Sequence, residues 1–319
     1  MKKILFSLLL TTALVAHAET LTENFTADPA THGWQTFGDA SLFHWDATNH
    51  NLAVTWDSSQ TNSYFYHPLA TTLGEQDGFN LAFDLTLSSA VSGGDNGFEI
   101  AVGLFHLADA TSTNFFRGTG YQSPNLIEFN YFPPFGIYGA SIDATMEDTD
   151  NNFKFLYDDT QALTNGVTYR VALNHVAGDT VITAAVYTYA TNGQLQLYSS
   201  VSQFFAYGDF SDFFVDTISI SSYNDTGAYG SISAQGVIDN LVVTTSPRPV
   251  GNITGQTIGP VWQAQFTTRT NWLYTLERSA DLKTWTPVST TTNGNGSTLT
   301  LQDPHPPATQ ALYRVHAQQ

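Results

Sequence analysis

From Phe79 to Leu87 the chain reads F-N-L-A-F-D-L-T-L, with Phe79, Leu81, Phe83, Leu85 and Leu87 on every second position and Asn80, Asp84 and Thr86 opposite them. A period of two is the repeat of a strand with one face in a core, and it does not fit the 3.6-residue repeat of a helix. The same alternation recurs in N-L-A-V-T-W-D, where Leu52, Val54 and Trp56 share a face, and in T-Y-R-V-A-L-N-H-V, D-T-V-I-T-A-A-V-Y-T-Y and G-Q-L-Q-L-Y-S-S-V. Between these runs stand A-G-D and T-N-G, the residue types of hairpin turns. About a dozen such strands before Thr245 predict an all-β fold, an antiparallel sandwich of two sheets rather than a small barrel.

Charge divides the chain. It carries 28 acidic against 10 basic residues over 319, a formal net charge of −18. Lys2 and Lys3 open the chain, and between them and Thr245 the bases are Arg117, Lys154 and Arg170; Arg248, Arg269, Arg278, Lys283 and Arg314 all follow. The change from acidic to weakly basic falls at T-T-S-P-R-P-V-G-N and marks a domain boundary. A sandwich over 19–245, a linker over 246–260 and a small β module over 261–319 are therefore expected. An acidic body repels phosphate and uronate, so nucleic acid and anionic polysaccharide are poor partners and neutral ligands and cations remain. Cysteine is absent, which removes disulfides, thiolate nucleophiles and thiolate-held zinc.

The first 18 residues read as an export signal: Lys2 and Lys3, an apolar run from Ile4 to Val15, then A-H-A ending at Ala18. No later segment approaches the ~20 apolar residues of a spanning helix. A secreted or cell-surface protein of bacterial type without a membrane span is expected.

Two segments carry a resemblance. A-Q-G-V-I-D-N-L-V-V-T is similar to the closing strand of jelly-roll carbohydrate-binding modules, and E-N-F-T-A-D-P-A-T-H-G-W-Q-T-F-G-D to the first strand and loop of concanavalin A-like sandwiches. Together they bracket residues 19–245 as one concanavalin A-like jelly roll. After Val261, Tyr274, Leu276, Glu277, Ser279, Asp281, Leu282, Trp285, Tyr313 and Arg314 follow a pattern that resembles the small C-terminal module of many large exported bacterial proteins. That pattern implies a spacer or attachment domain and no chemistry.

The segment N-L-I-E-F-N-Y-F-P-P places Glu128 and Asn130 in an apolar strand. Alternation sets Ile127, Phe129 and Tyr131 toward the core and Leu126, Glu128, Asn130 and Phe132 on the outer, concave face. Legume-type lectins carry a similar E-F-D strand whose acids hold metal beside the sugar. The resemblance implies calcium held by Glu128 and Asn130, with Asp148 and Asp150 of the following M-E-D-T-D-N-N loop. Asn130 departs from the lectin aspartate, and the lectin's downstream loop and histidine are missing. The residues alone equally allow a solvated face and an exposed turn.

Neutral sugars stack their C–H faces on aromatic rings. Tyr64 and Tyr66 share one face of S-Y-F-Y-H-P, and Phe115, Phe116, Arg117 and Tyr121 lie in the Gly-rich stretch before Leu126. With Phe132 these are the expected glycan contacts. No nucleophile elbow, zinc-protease motif or phosphate loop occurs. Retaining glycosidases of this sandwich type carry E-x-D-x-E, and Glu128-Phe129-Asn130-Tyr131-Phe132 keeps the first acid of it. The expectation is a non-catalytic protein that recognises a neutral polysaccharide or glycan. An envelope adhesion or structural protein, or a hydrolase with carboxylates from separate strands, are the alternatives.

Overall fold

In the computed structural model, the described residues are 19–92, 100–113, 115, 124–134, 139–154, 159–160, 162–204, 211–224, 232–270, 272–308 and 311–318. The expected signal over 1–18 lies outside them. The described chain divides after Ser246 into two compact units.

The larger unit contains, in order, β1 (Glu19–Glu23), β2 (Gln35–Phe37), β3 (Phe43–Asp46), β4 (Asn51–Asp57), β5 (Ser63–Leu73), β6 (Gly78–Ser92), β7 (Ile100–Phe105), the single helical turn α1 (Leu107–Ala110), β8 (Leu126–Phe132) and β9 (Ala140–Glu147). Then come β10 (Phe153–Lys154), β11 (Asp159–Thr160), β12 (Thr168–His175), β13 (Val181–Tyr189), β14 (Leu195–Phe204), β15 (Val215–Ser222) and β16 (Ile232–Ser246). They form two eight-stranded antiparallel sheets. Sheet I runs β14-β13-β12-β6-β16-β4-β3, with β1 also on β16; sheet II runs β10-β9-β8-β7-β15-β5-β2, with β11 also on β9. This is the antiparallel two-sheet sandwich that the alternation predicts, and the jelly roll that the resemblance implies.

The periodic residues make the core. Leu52, Val54 and Trp56 on β4 and Phe79, Leu81, Phe83, Leu85 and Leu87 on β6 are all buried. Across from them Ile127, Phe129 and Tyr131 of β8 face inward, and Phe83 meets Phe129 edge-on at 5.9 Å between ring centroids. The turns fall where the sequence places them, with Gly178 at φ 74° and Gly193 at φ 79°.

The Asp-Asn pair of the closing strand has a local cause. The register between β16 and β6 shifts between Asp239 and Val242, and Asn240 takes φ 47°, a left-handed conformation that Asn tolerates. The resulting bulge aims the Asn240 amide at Asp84 Oδ2, 2.8 Å away. Arg170 bonds both Asp84 (3.3 Å) and the Asn240 carbonyl (2.7 Å), and the Tyr189 hydroxyl donates to Asp84 at 2.7 Å. Burial, then the bond to Asp84, pushes the Tyr189 hydroxyl up to about 12. The polar side of β6 is thus a cross-strand clamp over four strands.

The smaller unit holds β17 (Gly251–Ile258), β18 (Val261–Thr267), β19 (Leu273–Ser279), β20 (Thr286–Pro287), β21 (Thr292–Asn293), β22 (Thr298–Asp303) and β23 (Leu312–Gln318). Here the expected linker over 246–260 is corrected: β17 pairs with β18, and Val250 lies in the core of this unit. The module's sequence pattern has a physical reading. Tyr274 and Leu276 are core residues, and Tyr313 stacks on Trp262 at 3.7 Å. Glu277 accepts from Arg314 at 2.6 Å, and that guanidinium lies 4.4 Å over the Trp285 ring. Asp281 Oδ1 caps the turn by accepting from the Lys283 and Thr284 amides, with Leu282, next after Asp281, at φ 63°. The pattern is therefore a folding signature.

Candidate functional site

The side of sheet II turned away from sheet I mixes polar and apolar side chains. Strand alternation and register line up Ser141, Asp143, Thr145 and Glu147 on β9 with Phe132, Asn130, Glu128 and Leu126 on β8. The row continues through Ala101, Gly103 and Phe105 on β7 and Ser221, Ser219 and Thr217 on β15. Tyr64 and Tyr66 of β5 and Gln35 and Phe37 of β2 complete it.

At its centre this face is not solvated. Glu128 and Asn130 are 0% exposed, and Asp143, Glu147, Ser219 and Ser221 are equally buried. The expected open polar face is thus corrected at its centre. The Tyr223 hydroxyl donates to Glu128 Oε1, and Thr145 donates to Asp143 Oδ2 at 3.1 Å. Gly103 stands opposite Glu128, and a Cβ there would lie 2.5 Å from Glu128 Cα and 2.6 Å from its Cγ. The missing side chain on β7 is what gives the carboxylate its room.

An aromatic cluster stands beside this acid. Tyr64, fully buried, meets Phe105 at 5.1 Å, Tyr223 at 5.8 Å and Phe115 at 6.2 Å, all edge-on. On its remaining side it stacks on Phe37 at 5.4 Å and 12° between planes. Phe37 is 36% exposed, so the cluster surfaces there. Next along the same edge the half-buried Tyr66 donates its hydroxyl to Gln35 Oε1 at 3.1 Å, which holds the carboxamide in place. Gln35, Phe37 and Tyr66 form a neutral platform in which Tyr64 fixes the Phe37 ring from beneath and the bond to Gln35 holds the Tyr66 hydroxyl.

The expected contacts therefore separate. Tyr66 reaches solvent. Tyr64 and Phe132 are buried, 0% and 6% exposed, and Phe115 packs half-buried on Tyr64 and Tyr223. Phe116, Arg117 and Tyr121 lie outside the described residues. Gln35 and Phe37 are not foreseen because β2 has three residues and shows no period, and Tyr223 is not foreseen because it lies just past the end of β15.

The expected metal ligands are also apart in role. Asp148 is 0% exposed, and its Oδ1 accepts from the amides of Asp150 (2.9 Å) and Asn152 (2.7 Å). Its Oδ2 accepts from the Asn152 side chain (2.9 Å) and the Ser211 amide (2.6 Å). Burial raises the Asp148 carboxyl, and the bonds from Ser211 and Asn152 outweigh it and leave it below the usual carboxylate range. Asp150 is exposed in the same turn. Glu128 lies within the β8 row beside Asn130. Among the described residues no group of three or more His, Asp or Glu side chains is arranged to hold a metal ion.

No family model and no curated protein matches the chain by sequence. Among solved structures it is similar to Lotus tetragonolobus seed lectin, with 12% identity, 72% of this chain and 99% of that one covered, and a TM-score of 0.46. It is similar in the same way to peanut lectin bound to a nine-residue peptide (12% identity, 72% and 98% covered, TM-score 0.45). A carbohydrate esterase from Shiga toxin-encoding bacteriophage phi24B gives 14% identity, 72% and 100% covered, and a TM-score of 0.44. At such identities function has to be read from this chain's own side chains.

Proposed function

We propose that the sandwich is an exported, non-catalytic carbohydrate-binding module, and that it takes a neutral glycan on the platform of Gln35, Phe37 and Tyr66. The observation that carries this reading is the exposed Phe37 ring stacked on the buried Tyr64. A pyranose presents an apolar C–H face, and an aromatic ring held rigid from below meets it at little entropic cost. The Gln35 carboxamide, held by Tyr66, offers a donor and an acceptor to sugar hydroxyls beside the rings. None of the three residues is charged, and the net charge of −18 works against an anionic polymer.

Binding is favoured over hydrolysis because Glu128 and Asp143, acids of neighbouring strands on the same face, are 0% and 1% exposed. A glycosidase needs both carboxylates at the scissile bond. No helix of the described residues is long and apolar enough to cross a membrane, and the leader expected over 1–18 would carry the module out of the cytoplasm.

The test is affinity electrophoresis of the full chain in gels cast with neutral polysaccharides, and with an anionic one for comparison. Retardation by a neutral polymer, lost in Phe37→Ala and in Tyr66→Ala, is expected. No retardation by any neutral polymer, or retardation that both variants retain, would overturn the proposal.

A further inference from the structure

Between Asp179 and Asp209 the chain contains no Asp, Glu, Lys or Arg, the longest uncharged run in a sequence of 319 residues with 38 charged ones. That run includes β13 and β14. β14 is the last strand of sheet I, ten residues long, and pairs with β13 on one side. The other sheet ends in this unit are short: β3 has four residues, β2 three and β10 two. Short or charged edges keep proteins from pairing strand to strand, and β14 has neither protection. It has no Lys and no Pro, and it exposes Leu195 (48%), Leu197 (63%) and Phe204 (53%). Loss of charge with retained apolar side chains is the composition of an interface centre.

We propose that β14 pairs antiparallel with β14 of a second copy of this chain, across a two-fold axis through Ser200. The strand's own pattern selects a second copy as the occupant. β14 carries one extra residue against β13, Tyr198, which falls between the pairs Val186↔Ser199 and Tyr187↔Leu197. Beyond that bulge Leu195 and Leu197 lie on the same side of the sheet as Ser200, Ser202 and Phe204. With Ser200 opposite Ser200 and Tyr198 bulged in each copy, Leu197 faces Ser202, Gln196 faces Gln203 and Leu195 faces Phe204. Gln196 and Gln203 match on one face, and two apolar Leu195 and Phe204 pairs close the ends of the other, with Leu197 meeting Ser202 between them. A basic or acidic strand would find no opposite charge on β14, whereas two neutral strands let two acidic bodies meet where neither carries a charge.

The chain has no cysteine, so a single one can report on the axis. Directly opposed residues of an antiparallel pair have Cα atoms about 4.5 to 5.5 Å apart, within disulfide reach. Ser200→Cys is expected to give a covalent dimer on mild oxidation, many times faster than Ser59→Cys in an exposed turn. Light scattering of the full wild-type chain is expected to give twice the chain mass, and Leu197→Lys to return it to one chain mass with an unchanged circular dichroism spectrum. A wild-type monomer at about 100 μM, a dimer untouched by Leu197→Lys, or equal cross-linking of the two cysteine variants would each overturn the proposal. Should Leu197→Lys not fold, the cross-linking comparison decides by itself.

Discussion

Lowering the pH from 7.5 to 4 should strip the sandwich of about 3 kcal/mol through one side chain. His175 ends β12 on the core side, 2% exposed, with its ring 5.6 Å from Phe79 and 5.7 Å from Phe213. Burial disfavours the imidazolium, and the charges of Asp179 and Asp77 recover part of that, leaving the pKa at about 4 against an ordinary 6.5. In the unfolded chain the ring takes its proton near 6.5. Between there and about 4 the unfolded state binds the additional proton, so stability falls as the pH falls; above 6.5 the group contributes no pH dependence. A gap of roughly 2.5 pH units at 1.36 kcal/mol each gives the magnitude. Urea unfolding of wild type and His175→Leu at pH 7.5, 5.5 and 4 checks it, because other titrating groups are common to both proteins. The stability of wild type relative to the variant should drop by about 3 kcal/mol across the range. A difference constant to within about 0.5 kcal/mol would refute a neutral, buried His175.

Gly103→Ala forces a Cβ against the Glu128 backbone and Cγ, at 2.5 and 2.6 Å, and should destabilise by about 3 kcal/mol or leave the chain insoluble, read from the thermal melt and soluble yield. Asp148→Asn replaces a carboxylate accepting from Asp150, Asn152 and Ser211 and should cost about 2 kcal/mol by urea midpoint. In the smaller unit, the Tyr274 hydroxyl donates to the Pro249 carbonyl at 2.7 Å and accepts from the Arg269 amide at 2.8 Å; Tyr274→Phe should lower the stability of that unit by about 1 to 3 kcal/mol, with the His175 titration unchanged.

The core of the fold was legible because burial and period coincide: Phe79 to Leu87, Leu52 to Trp56 and Ile127 to Tyr131 each declare their inner face. Alternation says which residues share a side, and it is silent on whether that side is covered. That is why Glu128 and Asn130 read as a concave polar surface and are buried. Gly103 is the signal that could have corrected it, a glycine inside the apolar run I-A-V-G-L-F where a side chain would collide with β8. The edge residue Phe37 was hidden by the brevity of β2. The linker expected over 246–260 failed because G-N-I-T-G-Q-T-I-G-P has the composition of turns, yet a strand at the end of a small sheet accepts glycines that a central one would not.

The direct measurement of glycan binding at the β2 and β5 edge is a calorimetric titration of the full chain and of Phe37→Ala with the neutral oligosaccharide of whichever polymer retards it most. Loss of one stacked ring, worth about 1.4 kcal/mol, should weaken the Kd roughly tenfold while the melting temperature stays near that of wild type. Equal dissociation constants for the two proteins would contradict the platform and move the sugar site elsewhere on the molecule.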